Sequence, residues 1–107
     1  SMRGVVCQLT YANSRLQKLC EKHAVAQQKF GSAGAKKLGL RVKELQTAPT
    51  PEELQKGPGR WHPIVYDWPG CLSGRLHGGS TIIVRHVVHD DGHPGWHVEC
   101  LGDCYKH

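Results

Sequence analysis

The chain has 107 residues, of which 14 are Lys or Arg and 9 Asp or Glu, for a formal charge of +5, and 38% are hydrophobic. Such a length suits one domain around one modest core and argues against a second. No apolar run reaches the length of a membrane span, and Met2-Arg3-Gly4-Val5-Val6-Cys7 is too short for a signal peptide, so a cytoplasmic location without membrane contact is expected.

The charge is uneven, with 11 basic and 4 acidic residues over positions 1–60 and 3 against 5 over positions 61–107. The basic half points either to a polyanionic partner or to solvated helix faces. Ser1 ahead of Met2 reads as a remnant of expression. Five cysteines, Cys7, Cys20, Cys71, Cys100 and Cys104, are odd in number and scattered, so mostly reduced thiols are expected. Cys7 and Cys20 fall on predicted core faces, where free cysteine behaves as a small hydrophobe.

Val5-Val6-Cys7-Gln8-Leu9 is short, β-branched and apolar, the pattern of a first strand. Asn13 or Ser14 can cap a helix whose stripe is Leu16, Leu19, Cys20, His23, Gln27 and Phe30, and His23 is expected to be half-buried on that stripe. Gly31 breaks this helix. Ser32 can cap a second, with Ala35, Leu38, Val42 and Leu45 inward and Lys36, Lys37, Arg41 and Lys43 around them, which makes a helical hairpin. Thr50-Pro51-Glu52-Glu53 combines an N-cap, a proline in the first turn and a capping-box glutamate, predicting a helical turn over 51–55.

Beyond Trp61 the period changes to two. Strands are predicted at 64–66, 72–77, 80–89 and 96–101, separated by glycine and proline turns. Gly78-Gly79 predicts a two-residue hairpin turn, because both central positions of that turn need positive φ. The expected fold is α+β: an N-terminal strand, a helical hairpin and a C-terminal antiparallel meander, forming one sheet covered on one face by the helices.

A two-residue turn sets Arg75 opposite Ile82, on the face of His77, Val84 and His86, with Arg85 on the other. Arginine suits phosphate because its planar fork donates two parallel hydrogen bonds and keeps its charge, although a surface arginine at a sheet edge is the simpler reading. His62 precedes a proline and is biased toward extended backbone. With Tyr105 and His107 it supplies two imidazoles and a phenol, the acid and base pair that metal-free RNA cleavage needs. A competing pattern is His93, His97, Cys100, Cys104 and His107, whose spacings overlap those of small zinc modules. His97 and Cys100 differ by an odd number on one strand, which opposes a shared ligand set unless the strand bulges. No Walker or dinucleotide glycine loop is present.

The run Pro58-Gly59-Arg60-Trp61-His62-Pro63-Ile64, the segment Leu72-Ser73-Gly74-Arg75-Leu76-His77-Gly78-Gly79, and the ending through Val98, Glu99, Asp103, Tyr105 and His107 resemble, in that order, the RelE/ParE toxin superfamily, above all its HigB and YoeB branches. The resemblance implies a toxin of a type II toxin-antitoxin system: a cytoplasmic endoribonuclease that cleaves mRNA on the ribosome without metal or other cofactor and is neutralised by a cognate antitoxin protein. It implies His62 as general base, Arg75 on the phosphate, and Asp103, Tyr105 and His107 as the catalytic ending. Lys36, Lys37, Arg41 and Lys43 are then the expected RNA-binding cations. The positions where a second arginine is usual read Thr81-Ile82, and the ending carries one extra residue. Two alternatives stand beside this reading: a non-catalytic ParE-like inhibitor of gyrase, and a small zinc-stabilised nucleic-acid-binding domain.

Overall fold

The computed structural model describes residues 6–105. Ser1, Met2, Val5, Lys106 and His107 lie outside them. Three helices and five strands follow one another as β1 (Gln8–Tyr11), α1 (Ser14–Glu21), α2 (His23–Thr47), α3 (Pro51–Lys56), β2 (His62–Pro63), β3 (Leu72–Arg75), β4 (Thr81–Val88) and β5 (Pro94–Gly102). They form an α+β fold with one mixed sheet of order β1-β5-β4-β3-β2. The strands from β2 onward pair antiparallel as expected, while β1 joins β5 in parallel.

Local chemistry accounts for the helix boundaries. The Asn13 side chain accepts from the Leu16 amide at the start of α1, and Thr50 accepts from the Glu53 amide at the start of α3. Gly31, at φ +76°, bends α2 at the break predicted there. A further interruption at Lys22, whose backbone is extended, separates α1 from α2 and leaves His23 exposed instead of half-buried. The expected strand at 64–66 is loop; ladder pairing on that edge involves His62 and Pro63, and the Ile64 amide donates to the Cys71 carbonyl at 3.0 Å just beyond it.

The two faces of the sheet carry different cores. One packs Leu72, Ile82, Val84, Trp96, Val98 and Leu101 against the helices. The other buries Ile83 with Cys71 and Cys104 beneath Ile64, Trp68 and Tyr105. The β2–β3 loop and the chain after β5 therefore cover part of the face that the helices leave free. Three cysteines, Cys7, Cys20 and Cys71, are free thiols as expected, whereas Cys100 and Cys104 form a disulfide. That pair departs from the reduced reading because a bulge in β5 and Gly102, at φ +107°, turn the chain back until their Cα atoms lie 6.0 Å apart.

Candidate active site

The hairpin between β3 and β4 has one more loop residue than predicted. Arg75 pairs with Thr81 and Gly74 with Ile82, and the Leu76 amide donates to the Ser80 carbonyl at 3.0 Å, enclosing His77, Gly78 and Gly79. A shift of one residue moves side chains to the opposite face. Ser73, Arg75, Thr81, Ile83 and Arg85 consequently share the face away from the helices, and Val84 and His86 turn toward them. The His86 imidazole meets the Pro49 carbonyl at 2.8 Å and stacks edge-on against Trp96. Arg85, expected opposite Arg75, stands on its side of the sheet, but its Nε donates to Glu99 at 2.8 Å and its guanidinium reaches the Pro69 carbonyl at 3.4 Å. That hydrogen bond raises the Arg85 pKa further. Arg85 is thus held further along β4.

At the hairpin end of this face an open cavity of about 590 Å³ is lined by His62, Ser73, Arg75, Ser80, Thr81 and Tyr105 together with the turn glycines Gly78 and Gly79. His62, Arg75 and Tyr105, expected to act together from three separate stretches of sequence, are brought to this one concavity. Among the described residues no carboxylate lies within ion-pair distance of Arg75, and its side chain is exposed. Asp103 is exposed beyond Gly102 and does not line the cavity. His107 lies outside the described residues.

Local backbone geometry places the His62 ring. Arg60, at φ +53°, turns the chain into β2, and the His62 Nδ1 lies 3.2 Å from the Arg60 carbonyl. A carbonyl only accepts, so this contact is a hydrogen bond in the tautomer with the proton on Nδ1, which leaves the Nε2 lone pair free.

Arg41 departs from its expected role. It is 7% exposed; its Nε donates to the Arg75 carbonyl at 2.8 Å and its guanidinium pairs with Glu44. Glu44 also accepts from the Trp61 indole at 2.8 Å. One buried arginine on α2 thereby ties the backbone of β3 to the residue preceding His62. Lys36 and Lys43 are exposed and Lys37 is half-buried on the same helix. The spacing that put Arg41 among these cations gave no sign of the carbonyl and carboxylate that hold it.

Four of the five candidate zinc ligands are engaged elsewhere, and His107 lies outside the described residues. Cys100 and Cys104 are bonded to each other, the His97 Nδ1 meets the Thr10 hydroxyl at 2.7 Å, and His93 lies 2.9 Å from Asp91. Among the described residues no three His, Cys, Asp or Glu side chains are grouped to hold an ion. Also among the described residues, no helix is long and apolar enough to cross a membrane.

Three hydroxyl-bearing residues of the cavity, Ser73, Ser80 and Thr81, were missed as site residues in the sequence. Ser73 stands two positions before Arg75, the spacing that shares a strand face, while Thr81 came into view only with the register. Comparison with protein-family models found no match, and comparison with curated proteins found none either.

Proposed function

We propose that the protein is a metal-independent endoribonuclease, acting on mRNA at the ribosome as the toxin of a type II toxin-antitoxin pair and neutralised by a cognate antitoxin. The observation that carries the reading is the convergence of His62, Arg75 and Tyr105 on one open cavity. His62 Nε2 takes the proton of a 2′-hydroxyl as that oxygen bonds to phosphorus. The bond from phosphorus to the 5′-oxygen breaks, and Tyr105 returns a proton to the leaving oxygen, giving a 2′,3′-cyclic phosphate and a 5′-hydroxyl. Arg75, with no competing carboxylate among the described residues, stabilises the charge that builds on the phosphoryl oxygens. Lys36, Lys37 and Lys43 are the proposed contacts to RNA phosphates, an interaction that weakens steeply with salt.

The test is cleavage of mRNA in a reconstituted translation reaction. His62→Ala and Arg75→Ala are each expected to lower it at least about 100-fold, the scale of a lost acid-base or oxyanion group, with the circular-dichroism spectrum unchanged. Full cleavage by both folded variants overturns the assignment. A cavity holding one arginine also suits a toxin that binds without cleaving, and inhibition of gyrase supercoiling with RNA left intact is the result that selects it.

A further inference from the structure

Ser73 is 1% exposed, and its hydroxyl has no hydrogen-bond partner among the described residues. Buried hydroxyls are nearly always paired, so the exception calls for a cause. Thr81, on the same sheet face and also lining the cavity, spends its hydroxyl on the Gly102 carbonyl at 3.4 Å. The other unpartnered atom, His89 Nε2, belongs to a half-buried residue just past the end of β4. Ser73 instead lines the cavity, two positions from Arg75 and directly across from His62.

We infer that Ser73 is a ligand-binding residue whose hydroxyl donates to a non-bridging oxygen of a phosphodiester seated on Arg75. The choice of phosphodiester rests on the nuclease reading; the need for an acceptor does not. No described residue accepts from the hydroxyl, so alanine would suit the packing of the fold as well or better. Serine χ1 has three staggered wells, so the oxygen can turn to an anion on the cavity floor. Arg75 supplies charge and a fork of donors, and Ser73 adds a neutral donor from the same strand, so one phosphoryl group is held at two points.

The experiment separates ligand binding from folding and from cleavage. Wild type and Ser73→Ala are titrated with a trinucleotide carrying 2′-deoxyribose at its central position, which cannot be cleaved there, and their Tm values are measured without ligand. The expected result is a Tm equal to or above wild type together with roughly tenfold weaker binding, the scale of one hydrogen bond to a charged group. Ser73→Cys, a weak donor of similar shape, is expected to bind like Ser73→Ala. A lower Tm with unchanged affinity overturns the inference, as does failure of the wild type to bind the trinucleotide. Unchanged binding by Ser73→Ala with wild-type mRNA cleavage removes Ser73 and leaves the nuclease reading standing. Weakened binding by Ser73→Ala, in a wild type that never cleaves mRNA, supports Ser73 and removes the nuclease reading.

Discussion

Arg41 and Ser73 are the buried polar side chains of the core region, and they behave in opposite ways. Arg41 is held by Glu44 and the Arg75 carbonyl, so removing it strands a largely buried carboxylate and a backbone acceptor. Arg41→Ala is expected to lower stability by about 2–4 kcal/mol, since loss of one partner leaves the other desolvated and unpaired. Urea denaturation checks this, and the same variant should weaken the proposed RNA cleavage because Arg75 loses its backbone anchor. The free thiols are a second residue-scale matter. Burial raises the pKa of Cys7 and of Cys71, the latter against the opposing charge of Arg85. Thiolate is the reactive form, so these residues should resist iodoacetamide at neutral pH in the folded chain and react once it is denatured, as mass spectrometry would show. Sequence placed His62, Arg75 and Tyr105 among the candidate groups through residue type and resemblance. Arg41 was misplaced because helical spacing reports which face a residue occupies and says nothing of a carbonyl 34 residues away.

At the scale of elements, the β3–β4 hairpin decides the site. Two adjacent glycines announced the turn, but a third loop residue, His77, exchanged the faces of every β4 side chain relative to Arg75. Glycine serves a second purpose one residue before Arg75. A Cβ on Gly74 would lie 2.8 Å from the Trp61 ring, which packs flat against that backbone. Gly74→Ala is therefore expected to cost roughly 1–3 kcal/mol by overpacking. Because Trp61 adjoins His62, the substitution should also reduce cleavage, and thermal denaturation alongside the mRNA assay would separate the two effects. Helix caps were legible at Asn13 and Thr50 because capping is a contact between residues three apart. The break at Lys22 was not, since no glycine or proline marks it.

Across the whole molecule, the N-terminal β1–α1 unit couples folding to alkaline pH. Burial, reinforced by Glu21, pushes the Cys20 thiol from 9.0 up to about 12. Burial, followed by the charges of Cys20 and Glu21, pushes Tyr11 from 10.0 up to about 12. Between these ordinary and raised values the unfolded chain gives up protons that the folded chain keeps, so stability is complete below pH 9 and declines as pH rises toward 12. Urea midpoints measured from pH 8 to 11 should fall above pH 9, and Cys20→Ala or Tyr11→Phe should flatten the decline. Neither residue adjoins the cavity, so mRNA cleavage at neutral pH should be unaffected by these changes. The sequence by itself determined the α+β class, the helix caps at Asn13 and Thr50, the break at Gly31 and the residue types suited to phosphate chemistry, because propensity, capping and periodicity act over a few neighbouring residues. Only the tertiary structure decided the parallel placement of β1, the bonding of Cys100 to Cys104, the burial of Arg41 and the cavity in which Ser73 is left without a partner. Those features follow from strand register and from contacts between residues distant along the chain, which no local pattern encodes.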